Sequence, residues 1–182
     1  MTGQGVSAIA LALVLVAGVA TAQEAGVTGI APTAAAGPAG EVGPVTNLPL
    51  PRFVTLKTGE GNARRGPGLG HRIDWVFTRA GMPLRLTAEH ENWRRVEDAD
   101  GQGGWVHYAL LSGVRSVLVT EDMAEGRARP QPEAPVVVQA ERGVVARLLE
   151  CRDGWCRVSA AGNRGWLPER AIWGVAPGER VE

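Results

Sequence analysis

The chain holds two cysteines, Cys151 and Cys156, and they flank Asp153-Gly154. Asp-Gly is a strong two-residue type I′ turn, because Gly takes positive φ without steric cost. A turn of this kind sets Arg152 opposite Trp155 and Cys151 opposite Cys156. The second facing pair exchanges no backbone hydrogen bonds, so its Cα atoms come within about 4.5–5.5 Å, which is disulfide range. The expected chemistry is a structural disulfide. Thiol–disulfide catalysis is instead built on Cys-x-x-Cys opening a helix. The loop closed is small, so the crosslink is worth about 2 kcal/mol.

Other side chains could bind rather than react. Arg64 and Arg65, beside the Gly66-Pro67-Gly68 turn, could hold a carboxylate or phosphate bidentately. Trp93 and Trp155 each stand just past a hairpin turn and three residues before Val96 and Val158. Strand alternation sends them to the face opposite the valines, where aromatic residues anchor ligands and partners. Trp105 and Trp166 each follow a glycine and are expected in the core, since large aromatics dominate small cores. His71, His90 and His107 lie scattered without metal-ligand spacing, so no metal is expected. Gly66 to Gly70 is glycine-rich but opens no helix, which removes a phosphate-loop reading. Neither G-x-S-x-G nor H-E-x-x-H occurs. No catalytic residue and no cofactor is expected, and the chain reads as a non-enzyme.

The elements that must position these residues are written twice. Trp93-Arg-Arg-Val96 and Gly104-Trp105-Val106 recur as Trp155-Cys-Arg-Val158 and Gly165-Trp166-Leu167, offset by 62 and 61 residues. A period that long exceeds the ~20–50 residues of helical or leucine-rich solenoids and fits a pair of small domains. In the first copy the cysteine positions are Glu89 and Arg94, an opposite-charge cross-strand pair worth a few tenths of a kcal/mol. Both copies thus tie the same hairpin, one covalently and one ionically. Short β-runs punctuated by Gly, Pro, Asn and Asp predict an all-β fold. The expected strands are 52–57, 74–78, 83–89, 93–97, 104–107 and 116–119 in the first copy. In the second they are 135–139, 144–151, 155–159, 165–167 and 171–175.

The ends and the composition bound the function. Residues 8–20 form an uncharged apolar run followed by Ala20-Thr21-Ala22, the pattern of a cleaved signal peptide over 1–22. The run is shorter than the ~20 residues a membrane span needs, so an exported, periplasmic or extracellular protein without a membrane span is expected. Residues 23–51 are rich in Ala, Gly and Pro and hold no aromatic, as a disordered linker would. Charges balance at 19 basic and 19 acidic residues. Neither half has the basic excess of a nucleic-acid binder, so no nucleic acid is expected as partner.

Asn62-Ala-Arg64-Arg-Gly66-Pro67-Gly68, followed by Trp93-Arg-Arg-Val96 and Gly104-Trp105-Val106, resembles the bacterial SH3-like (SH3b) domain over roughly 54–118. The second copy matches less well at its start, where Ala128-Arg129-Pro130-Gln-Pro132 replaces the Gly-Pro-Gly loop. Its end, Gly165-Trp166-Leu167-Pro168, is similar to the eukaryotic relatives. The resemblance implies two tandem five-stranded barrels over 52–120 and 127–176, without catalytic machinery of their own. It also implies a binding or scaffolding role in the envelope, with cell-wall peptidoglycan peptides or an envelope protein as partner. By position, Trp93 and Trp155 match the aromatic that lines the proline-peptide groove of eukaryotic SH3 domains. No Ala-Leu-Tyr-Asp-Tyr segment occurs, and the groove tyrosine is replaced by Leu110 and Ala171. Polyproline recognition, which needs several aromatic ridges, is therefore not expected. The retained Gly-Pro-Gly loop favours ligand contact on the first barrel, and the disulfide suggests rigidity for the second.

Overall fold

A computed structural model describes residues 41–182. The expected signal peptide at 1–22 and residues 23–40 of the expected linker lie outside the described residues.

Alternating apolar residues and tight turns give two antiparallel sheets of seven strands each and no α-helix among the described residues. The first comprises β1 (Arg52–Leu56), β2 (Gly61–Arg64), β3 (Ile73–Phe77), β4 (Pro83–His90), β5 (Trp93–Glu97), β6 (Gly103–His107) and β7 (Leu111–Ser112). The second comprises β8 (Ser116–Val119), β9 (Ala124–Arg127), β10 (Val136–Ala140), β11 (Val145–Arg152), β12 (Trp155–Ala160), β13 (Asn163–Pro168) and β14 (Ile172–Trp173). Strand orders are β3-β2-β6-β5-β4-β1-β7 and β10-β9-β13-β12-β11-β8-β14, so the duplication extends to the topology. Each sheet wraps its own core: Leu56, Leu84, Leu86 and Val106 in the first, Val117, Leu148, Val158 and Leu167 in the second. Both long strands break register at the same point of the repeat, between Leu86 and Ala88 and between Leu148 and Glu150. A bulge there bends each sheet around its core.

Four expectations need correction. Ser116–Val119 is a strand as expected, but it pairs with β11 and β14 of the second sheet, so the second barrel begins ahead of residue 127. The barrels have seven strands rather than five because β2, β7 and β9 were not anticipated. Gly61-Asn62-Ala63-Arg64 and Ala124-Glu125-Gly126-Arg127 lack β-formers, yet small residues are what these crossings require. A Cβ on Gly126 would stand 2.4 Å from Val138 Cγ1, and one on Gly104 2.6 Å from the Arg64 carbonyl oxygen. The glycine of the repeated Gly-Trp pair is thus the gap through which β2, and in the second barrel β9, passes.

Third, the linker does not run to Pro51. Val42 bridges Pro49, Gly43 N–H donates to the Leu48 carbonyl at 2.8 Å, and Leu50 is buried in the first core. Fourth, Trp105 is not a core residue, whereas Trp166 is buried as expected, at 6% exposure. Val106 and Leu167 occupy the inward positions at 0% and 1% exposure, and alternation sends the preceding tryptophans outward. Trp105 is half-buried, and Trp166 is covered on the outer face.

Only Gly113–Arg115 separate the sheets, and the barrels pack directly. The buried Thr55 and Ser116 hydroxyls lie 2.8 Å apart, Arg79 donates to the Gly143 carbonyl at 2.6 Å, and Phe53 meets Trp173 edge to face at 5.1 Å. Arg115 folds back to donate to the Gly174 carbonyl and to the Glu179 carboxylate, each at 2.7 Å. The last residues do join the second sheet: Val181 bridges Cys151.

Candidate functional site

The β11–β12 hairpin is built as its sequence dictates. Asp153 and Gly154 take φ of 52° and 77°, Arg152 faces Trp155 and Cys151 faces Cys156. The cysteines form a disulfide with Cα atoms 4.1 Å apart. Cys151 spends its backbone N–H and carbonyl on Val181 instead of Cys156, as a non-hydrogen-bonded pair must. The turn delivers Trp155 to the start of β12, opposite Pro168. Glu169 N–H donates to the Gly154 carbonyl at 2.9 Å and fastens the 3₁₀ turn Glu169–Ala171 beside it.

Trp155, Pro168 and Ala171 form one wall of an open cleft of about 400 Å³, and the segment Glu121–Glu125 forms the other. Arg170 reaches Glu121 at 3.6 Å and Arg127 reaches Glu125 at 2.5 Å. Asp122 also lines the cleft, which makes three carboxylates against two guanidinium groups. The half-buried indole offers an apolar face, and the rim leans negative. An extended peptide bearing a cationic group fits that chemistry.

The matching corner of the first barrel is arranged differently. Trp93 is half-buried and meets His107 edge to face at 5.7 Å, and His107 packs on Tyr108 at 4.9 Å. His107 and Tyr108 thus stand where the second barrel has Pro168 and Glu169. The sequence favoured the first barrel for ligand contact while naming Trp155 as a candidate, and it gave no sign of the acidic cleft beside Trp155. One wall comes from the β8–β9 segment, which the sequence repeat did not align, and the other from β12, β13 and the 3₁₀ turn after it.

Arg64 and Arg65 are both engaged locally. Arg64 Nη1 donates to the Leu69 and His71 carbonyls at 3.2 and 2.7 Å, holding the Gly66-Pro67-Gly68 loop. Arg127 does the same for its own loop, donating to the Ala134 carbonyl at 2.8 Å. Arg65 and Arg72 share Asp74 at 3.0 and 2.6 Å. Hydrogen bonding from Arg65 leads in holding the Asp74 carboxyl below its ordinary value, against desolvation and with help from Arg72.

Glu89 is more than the cross-strand partner of Arg94 that its sequence position suggested. Its carboxylate is fully buried and accepts from Thr46 Oγ1 at 2.7 Å, Thr46 N–H at 2.9 Å, Val45 N–H at 3.0 Å and Arg52 at 2.6 Å. Arg94, its cross-strand partner, lies at 3.6 Å. Burial alone would raise the pKa, but the bonds from Thr46, Arg52 and Val45 outweigh it and hold the group at about 2.

Among the described residues no three His, Cys, Asp or Glu gather as a metal site, and no helix is long and apolar enough to cross a membrane.

The chain is 23% identical over 128 residues to a Bacillus subtilis (strain 168) protein named "Putative N-acetylmuramoyl-L-alanine amidase YrvJ". The match covers 64% of this chain and 24% of that relative, so the chain spans about a quarter of its length. Among solved structures it is similar to NlpC2 and NlpC1 from Trichomonas vaginalis, at 14% and 15% identity and a TM-score of 0.32 for each. Those matches cover 69% and 75% of this chain and 48% and 51% of those chains. The family model described as "Bacterial SH3 domain" matches residues 57–113 and again 120–174. With each match lying on one of the two sheets, the chain belongs to the bacterial SH3 domain family as a tandem pair.

Proposed function

We propose that the protein is an exported, non-enzymatic binding module whose tandem SH3-like barrels recognise cell-wall peptides. The observation that supports this most is the open cleft at Trp155, with its aromatic wall and net acidic rim. Wall peptides are extended, bear free amines and would set an ammonium group against Asp122. The wall-enzyme name of the Bacillus relative is consistent with a barrel pair that holds such material. A protein–protein adaptor in an envelope complex is the second reading, favoured by the same cleft if its ligand is a segment of another protein.

The test is retention of the purified protein on isolated cell-wall sacculi at moderate salt. Wild type is expected to sediment with sacculi, Trp155→Ala to lose retention, and Trp93→Ala to show whether the first barrel contributes. No retention of wild type would refute the cell-wall reading. Co-purification of one specific envelope protein without sacculus affinity would establish the adaptor, and release of soluble muropeptides would overturn the non-enzymatic reading.

A further inference from the structure

Both barrels place a tryptophan between two arginines on the outer face. Trp105 on β6 pairs with Arg95 on β5 and Arg64 on β2, and Trp166 on β13 pairs with Arg157 on β12 and Arg127 on β9. Residues directly opposite across strands project to the same side, so each barrel carries an Arg-Trp-Arg row. The second barrel closes its row: Arg152 lies over the Trp166 ring at 4.9 Å and the indole is only 6% exposed. The first leaves its row open. His90 stands where Arg152 would and meets Trp105 only edge to face at 6.4 Å.

The open ring lies in a second cleft of about 350 Å³, lined by Arg64, Arg65, Asp74, Arg95 and Trp105. Three guanidinium groups face one carboxylate there. Asp74 is shared by Arg65 and Arg72, and Arg64 is anchored to its loop carbonyls. Arg95 is exposed and, among the described residues, has no carboxylate within salt-bridge distance. We infer that this cleft binds a sugar acid, with the pyranose face against Trp105 and the carboxylate on Arg95 and Arg64. A planar, weakly hydrated guanidinium suits bidentate carboxylate, and an indole offers an apolar face to ring C–H groups. The cleft is distinct from that at Trp155, so the proposal stands or falls without the cell-wall peptide reading.

Titration of the full chain with glucuronic acid, followed by amide and indole N–H chemical shifts, tests it. Glucose serves as the neutral twin and inorganic phosphate as the bare anion. Saturable shifts are expected at Trp105, Arg95 and Arg64, with glucose and phosphate each about tenfold weaker. Arg95→Gln, an exposed change that leaves the remaining spectrum in place, is expected to weaken glucuronic acid about tenfold and leave glucose unaltered. Equal binding of glucose, equal binding of phosphate, full affinity in Arg95→Gln, or shifts centred away from Trp105 would each overturn the assignment.

Discussion

At one position of the repeat the two barrels solve a single mechanical problem with different chemistry. Where β4 turns into β5, Glu89 faces Arg94; where β11 turns into β12, Cys151 faces Cys156. Each corner also fastens a segment outside the sheet proper. Glu89 gathers the 41–50 segment through Val45 and Thr46, and Cys151 bridges Val181 of the closing segment. The covalent corner needs no charge and leaves its backbone free to pair. The ionic corner buries a carboxylate, which is tolerable only because several donors converge on it. A disulfide is therefore not the stronger half of this comparison by default; the buried ion cluster has more to lose.

Glu89→Ala should have the largest effect, about 3–5 kcal/mol in denaturant unfolding, because it strands Arg52 and Arg94 and frees the Val45 and Thr46 donors. A loss no greater than that of an exposed ion pair would break the comparison. Replacing both cysteines with serine should cost about 2 kcal/mol, and reductant should reproduce the loss in wild type but not in the double variant. Gly43→Ala should cost about 1–3 kcal/mol, since its Cβ would stand 2.3 Å from Glu89 Oε2.

Acid sharpens the contrast. The folded pKa of Glu89 is depressed to about 2 from an ordinary 4.5, so its stabilisation is complete above 4.5 and drains away as pH falls toward 2. Wild type should lose stability across that window and Glu89→Gln should show a flatter profile there, measured by chemical unfolding at stepped pH. The smallest change expected is Arg65→Ala, within about 0.5 kcal/mol, because its Asp74 partner is exposed and still holds Arg72.

Much of this was legible in the residues. The period of the repeat gave two barrels, and Asp153-Gly154 gave the register that joins the cysteines. Hairpin logic is local and needs no knowledge of the rest of the chain. What escaped was set at long range. Glu89 reads as an ordinary surface acid until the 41–50 segment folds over it, and that segment's Ala/Gly/Pro-rich surroundings hide Leu50, which enters the core. Trp105 is expected inward because it is large, whereas parity assigns that place to the adjacent Val106. The Trp155 cleft depends on Glu121–Glu125, which lies on the far side of the barrel in sequence and carries no motif of its own.

The three-residue join at Gly113–Arg115 has a practical corollary. Arg115 is pinned to Gly174 and Glu179, and β8 follows at once, so a protease finds little slack between the barrels. A fragment cut at residue 120, where the repeat alone would place the border, would carry away a strand that the second sheet needs. Cutting ahead of Ser116 keeps that sheet whole but exposes Thr55, Phe53 and the apolar joint they cover. The join and the contacts across it make the two barrels one mechanical unit.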